Sequence, residues 1–199
     1  MSSPRGQVRI VAGRFKGKTL SAPEGANTRP TSDRARQAVF NILEHAAWSP
    51  GLQGLRVIDL FAGSGALGVE ALSRGASFCL FVETDEEARG AIRTNLETMT
   101  PDGALFGATR VHRRDATDLG VRPGSAGAPF DLALLDPPYR KGLGERALQG
   151  LANGGWLKPG AIAVWEEAAD ENVAMPDAYE LLDERTYGAA CVRFLKLRE

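Results

Sequence analysis

The sequence has few of the residues that hold metals or form disulfides. Its 199 residues include two cysteines and two histidines. Cys79 and Cys191 stand in apolar, strand-like runs, so we expect both to be reduced core residues. His45 and His112 stand apart, without partners at ligand spacing, which is more typical of surface or packing residues than of catalysts. The sequence therefore predicts no metal site.

Long hydrophobic runs are also missing. No apolar run approaches the ~20 residues of a membrane-spanning helix, and residues 1–6 lack the apolar centre of a secretion signal. We therefore expect a cytoplasmic protein without membrane association. Separately, we expect it to be a monomer. With 43% hydrophobic and 25% charged residues, the chain can bury a full core and form one main domain.

The net charge of −1 hides an uneven distribution. Residues 1–36 contain eight basic and two acidic residues, a balance of +6, so the remaining 163 residues carry −7. The basic residues are Arg5, Arg9, Arg14, Lys16, Lys18, Arg29, Arg34 and Arg36. Clustered basic residues are typical of contacts to a polyanion, although a solvated charged arm explains the pattern equally well.

The stretch from Leu55 to Gly75 is typical of a strand, a glycine turn and a helix in direct succession. Residues 55–61 form an apolar run that suits a buried parallel strand. Gly63 and Gly65 lack Cβ atoms where the backbone must turn and a ligand must approach. The pattern predicts a site for a nucleotide-like ligand.

The ligand class depends on two carboxylates. Glu83 closes a second apolar run 18 residues after Gly65, near the ~20-residue spacing at which an acidic residue binds ribose hydroxyls. Asp59, just before the turn, favours cationic S-adenosylmethionine over a dinucleotide, because a carboxylate repels pyrophosphate. The alternative for Asp59 is a structural role in capping local backbone amides.

Strand and helix patterns alternate along the rest of the chain. They predict a doubly wound, Rossmann-like α/β sheet whose last two strands are antiparallel. The predicted strands are 55–61, 78–82, 108–113, 130–135, 161–166, 179–186 and 191–197, and the helices 66–74, 85–99 and 144–152. We expect residues 1–50 to form an N-terminal basic extension and residues 51–199 the ligand-binding domain.

Within that extension, residues 7–21 predict a hairpin of two short strands with projecting basic side chains. Thr31 or Ser32 is expected to cap a helix whose apolar stripe faces inward and leaves Arg34 and Arg36 nearer solvent. The exposed hairpin residues that could contact a polyanion are Arg14, Lys16 and Lys18, which we call the basic loop.

The fourth predicted strand ends in the sequence Asp136-Pro137-Pro138-Tyr139. In a doubly wound sheet this strand lies beside the first, so Asp136 should face the glycine turn. Asp136 and the Pro137 carbonyl can accept the two hydrogens of an exocyclic base amine, while Tyr139 offers a stacking face. Such acceptors direct the nitrogen lone pair at an electrophilic methyl group. The alternative is a rigid turn that only ends the strand.

Three segments together resemble the RsmD family, bacterial methyltransferases of small-subunit ribosomal RNA. They are DLFAGSGALGVEALSRGA from Asp59 to Ala76, the box from Asp136 to Tyr139, and RPTSDRAR from Arg29 to Arg36 with Phe40 and Asn41. The resemblance covers nearly the whole chain in the same order. It implies the class I methyltransferase fold and methyl transfer from S-adenosylmethionine to N2 of one guanine in 16S rRNA, as naked RNA or within a small ribosomal subunit or assembly intermediate.

The resemblance also implies roles for individual residues. Around the cofactor it places Asp59, Gly63 and Gly65 at the methionine part, Glu83 at the ribose, and Asp115 with Ala116 at the adenine. The guanine is held by Asp136, Pro137 and Tyr139. At the mouth of the site, where cofactor and RNA enter, lie Arg29, Thr31, Asp33 and Arg34.

Other functions share parts of this pattern. An N6-adenine or N4-cytosine DNA methyltransferase, or a protein-glutamine methyltransferase, would hold its amine in the same way. A dinucleotide-dependent oxidoreductase is disfavoured by Asp59 and by the absence of an acid/base partner for hydride transfer. A non-catalytic, RNA-binding ribosome assembly factor is disfavoured by the intact Asp136 and Tyr139.

Overall fold

A computed structural model describes residues 7–22, 33–100 and 102–199. Its strands are β1 (Gln7–Arg9), β2 (Thr19–Ser21), β3 (Arg56–Leu60), β4 (Phe78–Val82), β5 (Thr109–His112), β6 (Phe130–Leu135), β7 (Leu157–Ala168), β8 (Tyr179–Tyr187) and β9 (Ala190–Leu197). Its helices are α1 (Asp33–His45), α2 (Ala66–Ser73), α3 (Glu86–Met99) and α4 (Leu143–Asn153), with 3₁₀ turns at Gly13–Phe15 and Gly124–Ala126.

Seven strands form the central sheet in the order β5-β4-β3-β6-β7-β9-β8. Strands β5, β4, β3, β6 and β7 are parallel to one another, and β9 runs antiparallel between β7 and β8. The order reverses between β3 and β6, which are paired directly. The predicted fold class and the neighbouring first and fourth strands are therefore confirmed, and the sheet has the class I methyltransferase topology.

Two hydrophobic clusters cover the two faces of the sheet. One combines α1, α2, α3 and the N-terminal hairpin with residues such as Val57, Leu134 and Val164. The other packs α4 against the opposite face, on residues such as Ile58, Leu135 and Trp165. Neighbouring residues of one strand thus belong to different clusters, as the pleat of a strand requires.

The N-terminal hairpin is confirmed and is part of the first cluster. Strands β1 and β2 pair antiparallel, and the buried side chains of Val8, Ile10, Phe15 and Leu20 join the core of the sheet domain. The division of the chain at residue 50 stays a prediction. The structure adds that the hairpin packs against the α/β sheet, because residues of both belong to one hydrophobic cluster.

The expected exposure of Arg36 is wrong. Its side chain is 2% exposed and lies within α1, while Arg34 is exposed as predicted. Arg36 is buried because its guanidinium donates to the carbonyl of Arg9 in the hairpin and to Asp33 Oδ1, and lies 3.9 Å from Glu70 of α2. The proposed caps Thr31 and Ser32 lie outside the described residues.

Both cysteines are buried and free, Cys79 in β4 and Cys191 in β9, as expected for core residues. Across the described ranges, no helix has the length and apolar character needed to cross a membrane.

Candidate active site

The predicted functional residues converge on one edge of the sheet. Strands β3 to β7 are parallel, so their carboxyl ends meet there. The residues that follow these ends are the glycine turn after β3, Glu83 after β4, Asp115 and Ala116 after β5, and the Asp136–Tyr139 box after β6. Ligands of doubly wound sheets bind at such an edge, beside the strands where the order reverses.

The glycines of the turn after β3 have different roles. Gly63 has a φ of +54°, and a Cβ added to it would meet only the Phe61 carbonyl oxygen, 4.0 Å away. Gly65 has a φ of +80°, and its Cβ would lie 3.3 Å from Phe81 and Ile92. A Cβ on Gly68 would lie 2.4 Å from the Phe81 ring. Gly63 therefore leaves open space for a ligand, whereas Gly65 and Gly68 let α2 pack closely on β4.

Asp59 lies inside the sheet, at β3, and its side chain is 1% exposed. Its Oδ2 accepts a hydrogen bond from the backbone N–H of Gly68 (2.9 Å), so the capping alternative is present in the structure. Burial raises the pKa of Asp59 to about 8, helped by the charge of Glu83 and opposed by the Gly68 bond. A nearby cation would favour the ionised form. Its contact with the methionine part of a cofactor stays a prediction.

Glu83 connects two strand ends. Its Oε2 accepts from the backbone N–H of Gly63 (2.9 Å), and its Oε1 accepts from the N–H of Asp85 (2.9 Å). The carboxylate is thus fixed beside the glycine turn, half-buried, with acceptor positions to spare for ribose hydroxyls.

Asp115 and Ala116 lie at the end of the next strand. Asp115 Oδ1 accepts from the N–H and the hydroxyl of Thr117, at 2.8 and 2.7 Å. These bonds lower the pKa of Asp115, which is therefore an ionised acceptor at neutral pH. Ala116 is buried. An exposed carboxylate beside a small buried residue suits the amine and the ring of an adenine.

The box after β6 lies next to two glutamates of β7. The hydroxyl of Tyr139 donates to Glu166 Oε1 (2.7 Å). Burial, then this bond, raise the pKa of Tyr139, so the phenol keeps its proton. The pKa of Asp136 is also raised, first by burial and then by the charges of Glu166 and Asp59. Asp136 and Tyr139 are thus brought to the same edge as the glycine turn, as predicted from the strand order.

The basic loop does not border this edge. Its three side chains are exposed, with the Arg14 guanidinium 4.5 Å from the Phe15 ring centre and Lys18 Nζ donating to the Met99 carbonyl (2.7 Å). Phe15 N donates to Ser73 Oγ at the last residue of α2 (2.9 Å), whereas the glycine turn precedes the first. The eight-residue helix α2 therefore separates the two by about 12 Å.

The segment with the resemblance-based RNA residues is only partly described. Arg29 and Thr31 lie outside the described residues. Asp33 and Arg34 are exposed at the first turn of α1, where Asp33 Oδ1 pairs with Arg36 Nη2 (2.8 Å). Their contacts with RNA stay predictions.

Three side chains with clear structural roles were missed by sequence reasoning. Glu166 binds Tyr139 and is 8% exposed. Asn95 of α3 donates to the Ser64 carbonyl in the glycine turn (3.0 Å) and exchanges two hydrogen bonds with the backbone of Ser21, both at 2.9 Å. It thereby connects the end of the hairpin to the glycine turn. The sequence signal that could have identified Asn95 is a polar residue at a position of the apolar stripe of α3.

The third missed residue, Glu70 of α2, is fully buried. Its two oxygens accept from the N–H groups of Val11 (2.9 Å) and Ala12 (3.1 Å), and Oε1 also from Arg74 Nε (2.7 Å). A buried carboxylate with these partners fastens the hairpin to α2.

Comparisons with known proteins agree with this geometry. The sequence profile of the family described as conserved hypothetical protein 95 matches residues 8–196. The chain is 34% identical over 189 residues to the Ribosomal RNA small subunit methyltransferase D of Haemophilus influenzae, which covers 95% of this chain and 93% of the relative. The chain belongs to the RsmD family. A second RsmD protein, from Escherichia coli K12, is 33% identical over 192 residues, covering 96% and 90% of the two chains.

A solved structure extends the comparison with the RsmD family to three dimensions. The Escherichia coli protein yhhF superimposes with a TM-score of 0.79 at 32% identity, over 97% of this chain and 99% of the other. The strand order, with its antiparallel last pair, is the fold that the resemblance to the RsmD family implied.

Within the described ranges, no three His, Cys, Asp or Glu side chains are grouped so that they could hold a metal ion.

Proposed function

We propose that this chain transfers a methyl group from S-adenosylmethionine to the N2 amine of guanine 966 in 16S rRNA, the position that the resemblance to the RsmD family implies. One observation carries the proposal. Asp136, which would accept hydrogen bonds from the base amine, follows strand β6, and the open glycine turn follows β3. These two strands are directly paired, so both groups lie at one edge of the sheet. A methyl acceptor and a methyl donor held at these two places would lie side by side.

The residues at this edge fit S-adenosylmethionine. Gly63 leaves the space that a Cβ would fill, Glu83 offers carboxylate oxygens for the ribose, and the ionised Asp115 offers an acceptor for the adenine amine. Asp59 and Asp136 place two acidic groups near the glycine turn, which suits a ligand with a sulfonium and an ammonium. When bound, this cofactor supplies an electrophilic methyl group.

Asp136 and Pro137 act on the amine of the base. The Asp136 carboxylate and the Pro137 carbonyl accept its two hydrogens, which favours sp³ nitrogen and directs the lone pair along one line. A methylated amine must lose a proton. A bound cationic ligand would favour the ionised form of Asp136, and in that form its raised pKa makes the carboxylate a better proton acceptor than an ordinary aspartate. Tyr139, fixed by Glu166, offers a stacking face to the base.

RNA contacts outside the reactive edge come from the N-terminal part of the chain. The three exposed cations of the basic loop lie at the far end of α2 and suit backbone phosphates that flank the target. We propose that Arg29, Thr31, Asp33 and Arg34 also contact the RNA. We further propose that the chain acts as a cytoplasmic monomer on the small ribosomal subunit or an assembly intermediate.

The proposal is tested by methyl transfer from labelled S-adenosylmethionine to small ribosomal subunits from a strain that lacks this protein. The RNA is then digested to nucleosides and the labelled nucleoside identified. We expect N2-methylguanosine. Naked 16S rRNA, assayed in parallel, shows which form is the substrate.

Other outcomes would contradict different parts of the proposal. Label in N6-methyladenosine or N4-methylcytidine would keep the amine-holding chemistry and overturn the assignment to guanine. Absence of label, with the cofactor shown to bind by calorimetry, would overturn methyl transfer to this RNA.

A further inference from the structure

Glu166 lies beside Asp136 on the neighbouring strand. Strands β6 and β7 are paired in parallel, with Leu134 opposite Val164 and Leu135 opposite Trp165. Asp136 follows Leu135, and Glu166 follows Trp165. Adjacent strands lie about 4.8 Å apart, so their backbones are neighbours at this point.

The two carboxylates also belong to the same side of the sheet. Leu134 and Val164 join the cluster beneath α1 and the hairpin, and the residues two positions further along a strand have the same orientation. The charge of Glu166 contributes to the raised pKa of Asp136, which agrees with their proximity.

Glu166 is already part of the box through Tyr139. Its Oε1 accepts from the phenol hydroxyl at 2.7 Å. A carboxylate has about four acceptor positions on its two oxygens, so it can accept from more than one donor at the same time. A base stacked on the Tyr139 ring, with its amine at Asp136, would present the rest of its pairing edge toward β7.

The chemistry of that edge differs between bases. On its pairing edge, guanine has the N1–H donor directly beside its N2 amine, so the two adjacent groups on that edge are both donors; N3, an acceptor, lies on the other side of the amine. Adenine and cytosine have an unprotonated ring nitrogen, an acceptor, beside their amines. Two adjacent carboxylates attract the first arrangement and repel the lone pair of the second.

We propose that Glu166 determines specificity by accepting the N1–H of the target guanine while Asp136 holds its N2 amine. This inference rests on the proposed guanine-N2 methylation. A site built to accept an N–H rejects analogues that lack it far more strongly than a hydrophobic pocket rejects a change in size.

The test replaces the methylated guanine by 2-aminopurine in reconstituted small subunits. This base keeps the N2 amine but presents a ring nitrogen without hydrogen at N1, and it lacks O6. We expect the wild-type protein to prefer guanine by at least about 100-fold in kcat/KM. In the Glu166→Gln variant the amide can donate to that nitrogen, so the preference should fall to about 10-fold or less. Both proteins encounter the same loss of O6, so the change in preference reports on N1.

Tyr139→Phe is the matched control, because it removes the hydrogen bond to Glu166 but leaves the carboxylate. Its turnover should fall while its preference for guanine stays as strong as that of the wild type. A Glu166→Gln variant with lower turnover but unchanged preference would overturn the proposal and leave Glu166 a structural support for Tyr139.

Two further results keep the proposal open to refutation. Wild-type protein that methylates 2-aminopurine as well as guanine would overturn it without any variant. If the wild type places no methyl group on guanine N2 at all, the proposed function itself fails, and that result is seen before any variant is made.

Discussion

Replacing Asp59 by asparagine should stabilise the protein at neutral pH. Asp59 is 1% exposed and has a pKa of about 8, against an ordinary value of 3.8. At pH 7 the folded chain therefore keeps a proton that the unfolded chain releases. Asparagine has nearly the same shape, carries no charge in either state, and its amide oxygen can still accept from the Gly68 N–H.

The size of the effect follows from the two pKa values. Because pH 7 lies well above the ordinary value of 3.8, holding the proton costs the wild type about 4 kcal/mol of folding free energy. The new amide N–H₂ loses about 2 kcal/mol where it lacks an acceptor. We expect a net gain of about 2 kcal/mol, or a rise in Tm of about 4–8 °C for a chain of this length.

The sign of the pH dependence is also fixed. The folded-state pKa of Asp59 is raised, so the folded state binds more protons than the unfolded state between pH 3.8 and about 8. Wild-type stability must fall as pH rises through this window. The variant should therefore be the less stable protein near pH 4, and the stability difference should shift in its favour up to pH 8 and stay constant above it.

Urea unfolding of both proteins without cofactor, from pH 4.5 to pH 8.5, measures this difference. Asp118→Asn, at an exposed aspartate, gives the background effect of the same chemical change. An advantage at pH 7 that does not shrink on acidification would refute the reasoning, since it could not come from the proton on Asp59. Equal stability of the two proteins at pH 8 would refute it as well.

Three further changes test other parts of the structure. Asp136→Ala should reduce kcat by at least about 100-fold and leave the Kd of the cofactor within about threefold, measured by single turnover and calorimetry; retained turnover would remove Asp136 from the mechanism. Neutralising the basic loop with glutamine should weaken RNA binding and flatten the slope of log Kd against log salt by about 2, and an unchanged slope would place the RNA contact elsewhere. Gly13→Ala should cost about 3 kcal/mol or more of stability, because the added Cβ would lie 1.9 Å from the Ser73 carbonyl oxygen. Gly17→Ala is the control: it has a similar positive φ but open space around its Cβ, and should cost about 1 kcal/mol. Equal losses of stability in urea unfolding would show that the hairpin is not closely docked.

Much of the fold could be predicted from the sequence, because the strands β3, β4 and β6 are buried on both faces. The bounds of β4 and β6 agree with the predicted residues 78–82 and 130–135. Strand β7 is longer than the predicted 161–166 and starts at Leu157, because Pro159 and Gly160 fall within a register shift of its pairing with β6. Apolar runs identify the buried centre of a strand more sharply than its ends.

The residues that sequence reasoning misjudged are polar groups with distant partners. Arg36 is separated by 34 residues from Glu70, and Asn95 by 74 from Ser21. In a sequence pattern, a charged residue beside an apolar stripe is most simply placed in solvent. Only the docking of the hairpin on α1 and α2 shows that Arg36 is buried.

In the candidate site too, sequence patterns identified residues beside strands but missed a residue whose partner is distant. The glycine turn, Glu83 and the box were found because each lies directly after a recognisable strand. Glu166 was not, because its partner Tyr139 lies 27 residues earlier and on another strand end. Its significance depends on the register of β6 and β7, which hydrophobic patterning does not specify.

The docking of the hairpin on α2 fixes a distance. Glu70 and Ser73 hold the hairpin backbone, and the glycine turn begins the same helix, so the basic loop and the reactive edge belong to one rigid unit about 12 Å apart. If phosphates bind at one end and a base at the other, as proposed, this helix sets the distance between the two contacts. An RNA with the correct base but a different backbone path could then not reach both contacts at once. The enzyme would then recognise its target by the folded shape of the RNA, and unfolding that RNA would abolish methylation even though no base had changed.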